Sequence, residues 1–351
     1  MRIGILTGGG DAPGTNAVIR AVTRSLIHRH AAEIIGIEDG YLGLIERRVR
    51  PLDWRAVSGI VAQGGTMLGT TNRVSPLQHE GRDRRAEVLA YARELRLDGV
   101  VAIGGDGTMA IADALHREGL PTVGVPKTID NDIAGVERSF GFDTAVARAT
   151  EALDRVQTTG QSHGRVMLVE TMGRHAGWIA LEAGIASGAD LILLPELAFE
   201  LDAIVRVCQA REAAQRFTVI CVAEGAHAQG AATVVRQRVE GSPEPERLGG
   251  ISEWLVAQLQ PRLKSEVRAV VLGHVQRGGA PTASDRVLAT RYGAAAADLV
   301  GRGGWGRMVT LCQGQLAHVA LADVAGRNRH VPLDHPLLDC VRQMGVSLGV
   351  D

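Results

Sequence analysis

Residues 126–132 read Pro-Lys-Thr-Ile-Asp-Asn-Asp, which puts a cation (Lys127), a hydroxyl (Thr128), an amide (Asn131) and two carboxylates (Asp130 and Asp132) into one short stretch. The apolar run just before it, residues 122–125, reads as a buried strand, so the acids fall past a strand's carboxyl end, the edge where open α/β sheets bind ligands. Acids so placed can receive a substrate hydroxyl. A turn held by Asx-type hydrogen bonds accounts for the same residues, and this stretch alone leaves the choice open.

Three glycine loops accompany it. Gly8-Gly9-Gly10-Asp11-Ala12-Pro13-Gly14-Thr15-Asn16 stands between an apolar strand, residues 3–7, and a helical pattern of Val18, Ile19, Val22, Leu26 and Ile27. Such loops let backbone N–H groups and a helix's positive end approach a phosphate. This one matches neither G-x-x-x-x-G-K-[ST] nor a strict G-x-G-x-x-G, so a plain βα turn stays open. Residues 64–73 form a second loop that ends in Asn72 and Arg73, where an arginine can stabilise charge on a transferring phosphoryl group or merely close the loop. The third, Gly104-Gly105-Asp106-Gly107-Thr108, follows a buried strand at 99–103. Asp106 is the magnesium candidate, because that hard cation prefers carboxylate and phosphate oxygens.

The second half repeats the theme with cations. A strand at 166–170 carries Arg165 at its start and ends in Thr171-Met172-Gly173-Arg174-His175-Ala176-Gly177, where Arg174 offers a planar fork for phosphate. His175 reads as a hydrogen-bonded structural histidine, with no carboxylate partner in the local sequence. Strands at 191–194 and 218–223 end in Glu196 and Glu224, acids suited to sugar hydroxyls. A strand at 267–272 runs into Gly273-His274-Val275-Gln276-Arg277-Gly278-Gly279, and Arg268, His274 and Arg277 form a third cationic cluster.

These stretches need an alternation of strand and helix to hold them, which predicts an α/β fold with mostly parallel sheets and crossover helices. A chain of 351 residues exceeds one ordinary core and predicts two domains. The hinge is expected near residues 141–145, at the start of a helix running towards Gln157. A solvated helix face is expected over 80–94, helices from about 109, over 251–259 and over 284–299, a surface insertion at 228–250 and a final strand at 308–311.

Composition sets limits. Hydrophobic residues at 45% and charged residues at 22% are those of a globular chain. Aromatics at 3% argue against base-stacking platforms, and a formal net charge of -1 gives no pull towards nucleic acid or an anionic membrane. The four cysteines lack the spacing of a zinc site or disulfide framework. With no bilayer-length apolar run, and a first strand at Ile3 that leaves no room for a secretory leader, a cytoplasmic protein is expected.

Donor loops, a magnesium acid, an acidic turn for a hydroxyl and separate arginines for a second phosphate describe a kinase acting on a sugar phosphate. At this point residues 8–14, 104–108, 126–132, 172–177 and 274–279 together resemble 6-phosphofructokinase, in order and at similar spacing over roughly residues 2–311. The resemblance implies two Rossmann-like domains: a donor domain of 1–141 with about 276–325, and a sugar-phosphate domain of 142–275 with about 326–351. It implies phosphorylation of fructose 6-phosphate at the 1-hydroxyl. Gly9, Asn72, Arg73, Gly105, Asp106, Gly107 and Thr108 would hold Mg-ATP, with Asp106 on the metal. Asp130 would be the general base and Asp132 its supporting acid, with Arg73 and Arg174 also catalytic. Thr128, Ile129, Met172, Gly173, Arg174, Glu224, His274, Val275, Gln276 and Arg277 would contact the sugar phosphate. Arg165 and Arg268 would serve a neighbouring subunit's site in a homodimer or homotetramer.

The donor depends on Gly107 and Lys127, a mixed signature. A side chain at 107 would stand in the path of ATP's α-phosphate, so glycine favours ATP, while lysine at 127 suits either donor. The alternatives are a pyrophosphate-dependent phosphotransferase on the same sugar, an NAD kinase sharing only the Gly-Gly-Asp-Gly-Thr loop, and a non-catalytic nucleotide-binding regulatory subunit, against which the presence of both Asp106 and Asp130 counts.

Overall fold

The computed structural model describes residues 1–238 and 246–350. In chain order the elements are β1 (Arg2–Thr7), α1 (Thr15–His30), β2 (Glu33–Ile37), α2 (Tyr41–Ile45), β3 (Val49–Leu52), α3 (Arg85–Glu94), β4 (Gly99–Gly104), α4 (Asp106–Arg117), β5 (Thr122–Thr128), β6 (Phe140–Gly141) and α5 (Phe142–His163). There follow β7 (Val166–Thr171), α6 (Trp178–Ser187), β8 (Leu191–Leu193), α7 (Leu201–Ala213), β9 (Thr218–Ala223), β10 (Val235–Arg238), β11 (Glu246–Leu248), α8 (Ile251–Leu259) and β12 (Val267–Val271). The chain closes with α9 (Ala283–Gly301), β13 (Arg307–Cys312), β14 (Gln315–Ala320), α10 (Leu321–Val324) and α11 (Pro336–Gln343). Two compact units result: Met1–Thr144 with Arg277–Arg329, and the described residues from Ala145 to Gln276 with those from His330 onward.

The first unit is built on an eight-stranded sheet in the order β14-β13-β5-β4-β1-β2-β3, with β6 beside β5. The neighbours from β13 to β2 pair in parallel, whereas β3 and β14 run antiparallel at the two edges. Strand periodicity divides its side chains between two cores. Ile3, Ile5, Val101 and Ile103 pack with α1 and α9, while Leu6, Val100 and Ala102 pack with α3, α4 and α10. Every residue of β4 and β5 is buried, as expected of parallel strands covered on both faces.

The second unit holds a four-stranded parallel sheet, β12-β7-β9-β8. Val166, Leu168, Ile220 and Val222 of this sheet form a core with α7 and α8. Glu170, near the end of β7, is 2% exposed, and its two carboxylate oxygens accept from the N–H groups of Gly250 (3.0 Å) and Ser252 (2.9 Å) and from Ser252 Oγ (2.6 Å). A buried carboxylate therefore closes the N-terminus of α8, where the helix dipole favours negative charge.

Several expectations need correction. β5 continues to Thr128, so Lys127 and Thr128 belong to a buried strand and the acidic turn begins at Ile129. α4 starts at Asp106, and the presumed final strand β13 is followed by the antiparallel β14. Only residues 85–94 of the charged 80–94 stretch are helical, and Val88, Leu89, Tyr91 and Ala92 are buried. The two units divide between Thr144 and Ala145, inside the first turn of α5, and this helix reaches His163, past the expected end near Gln157. Within the insertion at 228–250, β10 and β11 pair as an antiparallel ribbon, and residues 239–245 lie outside the described residues.

Because Glu170 satisfies three donors at once, Glu170→Ala should cost about 3 kcal/mol of stability in denaturant unfolding, with Glu170→Gln losing less. Unchanged stability in Glu170→Ala would remove the carboxylate from the α8 anchor.

Candidate active site

In the first unit the first glycine loop is bonded to the end of β4 and to the second loop. Gly8 N–H donates to Ile103 O (2.9 Å), Gly9 N–H to Thr71 O (3.2 Å), and Thr70 Oγ1 to Gly9 O (2.6 Å). Gly9 has φ 76°, a left-handed conformation that glycine adopts without steric cost. The buried Asn16 ties the first loop to the second: its Nδ2 donates to Gln63 O (3.1 Å) and its Oδ1 accepts from Met67 N–H (2.8 Å). Lys127 Nζ donates to Gly10 O, and Arg277 Nη1 to Asp11 O at 2.9 Å.

The third loop enters α4 directly, with Asp106 half-buried as its first residue and Gly105 as its N-cap. Tyr41 holds this helix start by donating its hydroxyl to Thr108 O at 3.1 Å. Burial pushes the ionisation of Tyr41 well above the usual tyrosine range, so it remains a donor. The glycines of this loop have different constraints. A Cβ at Gly104 would overlap the Thr108 side chain, whereas one at Gly107 would meet nothing within 4 Å. Gly107 has a helical place and empty space around it, where alanine would be the more stabilising choice. Asn72 and Arg73 are exposed, with Arg73 N–H on Thr71 Oγ1 at 3.2 Å.

The acidic turn is almost wholly buried, with Asp130 at 3%, Asn131 at 3%, Asp132 at 4% and Thr128 at 9% exposure. Asp130 N–H donates to Thr128 Oγ1 at 3.0 Å. Asn131, at φ 54°, accepts from Ser139 N–H at 2.9 Å through Oδ1, and Ser139 Oγ donates to Thr128 O at 2.8 Å. Ile129 is fully buried, which leaves only its main chain to meet a substrate. In contrast to this closed network, Asp130 Oδ1 is buried with no hydrogen-bond partner in the protein. An acceptor left in that condition costs free energy until a donor arrives.

In the second unit, Gly173 (φ 138°) and Arg174 (φ 53°) take left-handed backbones, and Arg174 N–H donates to Glu224 Oε1 at 3.0 Å. Glu196 Oε1 supports the same loop by accepting from Gly177 N–H at 3.0 Å, and it also takes Val331 N–H at 2.8 Å. His175 is exposed, and its carbonyl meets His330 Nδ1 at 2.9 Å. His274 and Val275 are exposed, with Val275 at 65%. Gln276, expected among the sugar-phosphate contacts, is fully buried, accepting from Met172 N–H at 3.3 Å and donating to Gly273 O at 3.1 Å.

Within the second unit, Arg268 does not join His274 as the expected cationic cluster requires. Arg268 pairs with Glu266, as does Arg165 at 2.5 Å, at the start of β12 and β7, whereas His274 follows the other end of β12. Arg277 lies with the first glycine loop. Sequence reasoning missed the supporting roles of Asn16, Tyr41, Ser139 and Gln276. Asn16 alone carried a signal, as a polar residue at the start of an otherwise apolar helix. Among the described residues no group of three or more His, Cys, Asp or Glu side chains could hold a metal. A magnesium ion carried by substrate phosphates needs only one or two protein carboxylates, which Asp106 can supply.

Residues 2–300 match the family profile described as Phosphofructokinase. A Streptomyces coelicolor protein named ATP-dependent 6-phosphofructokinase 2 is 48% identical over 95% of this chain and 97% of its own length. An Amycolatopsis methanolica protein named pyrophosphate–fructose 6-phosphate 1-phosphotransferase is 47% identical over 95% and 96%. The solved structure of Pichia pastoris phosphofructokinase in the T-state superposes with a TM-score of 0.80 at 32% identity, covering 92% of this chain and 35% of that much longer one. With two donors named among relatives of near-equal identity, the chain as a whole belongs to the phosphofructokinase family.

Proposed function

We propose that the chain phosphorylates D-fructose 6-phosphate at its 1-hydroxyl with Mg-ATP, giving fructose 1,6-bisphosphate and ADP. The observation that carries this reading is the buried, unpartnered Oδ1 of Asp130, in the same unit as the three glycine loops. Asp130 takes the hydroxyl proton as the sugar oxygen attacks, and Asp132 supports it. The backbone at Gly9 and from Gly105 to Thr108 receives the donor phosphates, while Asn72 and Arg73 stand at the exposed rim. Magnesium supplies neutralisation of charge on those phosphates when bound, and Asp106 would hold it. Arg73 and Arg174 counter charge on the transferring group. Thr128, the main chain of Ile129, Met172, Gly173 and Glu224 orient the sugar, and His274 and Arg277 bind its phosphate.

Gly107 supports ATP as donor, since glycine puts no side chain where the donor's phosphates would pass. The ammonium of Lys127 is held on the first glycine loop and can serve either donor. Pyrophosphate is the second reading, favoured by the relative of that name. Active sites shared between subunits of a homodimer or homotetramer account for Arg165 and Arg268, gathered on Glu266 at the start of a sheet whose other end leads to Arg174 and His274. A strand of about six residues spans roughly 20 Å, too far for both ends to serve one phosphate within a chain. β12, moreover, is an edge strand. The four unpaired cysteines suit a reducing cytoplasm, and no described helix is long and apolar enough to cross a membrane.

Asp130→Asn should lower kcat by about 10² to 10⁴ with sugar affinity nearly intact; wild-type turnover in that variant would remove Asp130 from the mechanism. Gly107→Ala should stabilise the protein by about 0.5–1 kcal/mol, while Gly107→Asp suppresses ATP turnover. Parallel initial rates with ATP and pyrophosphate decide the donor, and a wild type that prefers pyrophosphate overturns it. For the shared site, Asp130→Asn and Arg268→Ala chains should regain activity when their subunits exchange, because one site in the hybrid carries neither defect. A verified hybrid as inactive as its parents would refute sharing through Arg268.

A further inference from the structure

We infer that Arg329 is the positioning residue of the acidic turn, an inference that rests on the reading of Asp130 as the base. Residues 327–329 run alongside the turn within the first unit. Ile133 and Asn328 form an antiparallel bridge, Ala134 N–H donates to Arg327 O at 3.3 Å, and Arg329 N–H donates to Asp132 O at 2.6 Å. The guanidinium then reaches over the turn: Nη1 donates to Asn131 O at 3.3 Å and to Glu137 O at 3.0 Å.

Three carbonyls of one segment thus meet a single residue nearly two hundred positions later, two of them through its guanidinium. Asn131 needs such fixing, since it holds a left-handed φ of 54° that only glycine adopts without cost. Its side chain is held from the inner side by Ser139, and its carbonyl from the other by Arg329. Asp130, next in line, has its own N–H bound to Thr128 Oγ1. The direction of its Oδ1 therefore follows from a backbone held on both sides. Arg329 touches neither sugar nor phosphate in this account and acts only through the turn. Its half-buried position, in contrast to the burial of the turn, allows replacement without loss of a core side chain.

The test compares the full chain with Arg329→Ala and Arg329→Lys by amide hydrogen exchange over residues 128–139 and by steady-state kinetics with Mg-ATP and fructose 6-phosphate. Arg329→Ala should exchange faster in that segment while global unfolding stays near wild type. Its kcat should fall by about a hundredfold, the scale of a small misplacement of a catalytic group, with sugar KM little changed. Arg329→Lys, which keeps a donor, should recover most of the rate, and added guanidinium should partly rescue Arg329→Ala. Unchanged exchange overturns the inference whatever the activity, as does faster exchange with wild-type kcat. A wild type that fails to phosphorylate fructose 6-phosphate refutes the reading of Asp130, and with it a positioning role in that reaction, while the exchange data still report whether Arg329 holds the turn.

Discussion

The structure depends on burying four polar side chains, Thr128, Asp130, Asn131 and Asp132, at the end of one strand. Polar groups removed from water must find partners in the protein or lose stability. β5 is buried along its whole length, so the turn that follows it starts from a fixed point. Ser139 returns to the turn just before β6, which itself pairs with β5. From β6 the chain enters α5, whose first turn is held to α9 through Thr144 and Asp285, at 2.7 Å from the amide and 2.6 Å from the hydroxyl. The order of contacts runs outward from the acidic turn to β6, α5 and α9.

The glycine loops solve the opposite problem, that of keeping backbone within reach of a ligand. Gly104 is required by packing, because Thr108 occupies the place of its Cβ. Gly107 is required by nothing in the protein, and its space is empty. Tyr41 and Asn16 hold the loops through hydrogen bonds to main-chain groups of Thr108, Gln63 and Met67. Packing and access are thus assigned to different residues three positions apart.

Much of this was legible in the sequence because short continuous apolar runs and glycine loops are local signals. Residues 99–103 announce β4 by composition alone, and residues 8–14 announce a loop between strand and helix. β14 was missed because an exposed edge strand need not be apolar, and Gln315, Leu316 and Ala320 face solvent. β5 was cut short at 125 because Pro126 and Lys127 look like turn residues, yet tertiary burial keeps them in the strand. The grouping of Arg268 with His274 and Arg277 failed for a geometric reason: neighbours in sequence lie at opposite ends of an extended strand. No local signal marks Gln276 as internal, since its partner, the Met172 amide, is more than a hundred residues away.

Acids at strand ends are common in this fold, and hydrogen-bond closure separates their roles. Glu170 uses both oxygens on protein donors, which accounts for its burial as structure. Glu196 and Asp285 each leave one buried oxygen unpaired, as Asp130 does, so an orphaned atom alone does not mark a base. Asp285 lies at the helix starts, where its other oxygen accepts from the Thr144 amide and hydroxyl, and burial raises its carboxyl above the usual range. Glu196 has its other oxygen committed to two amides that shape the loop after Arg174. Asp130 differs in company: it shares a unit with the glycine loops, and the main-chain carbonyls on either side of its turn are already taken, by Ser139 and by Arg329. What the turn still lacks is a hydrogen-bond donor for one carboxylate oxygen, and a sugar hydroxyl is a donor of that kind.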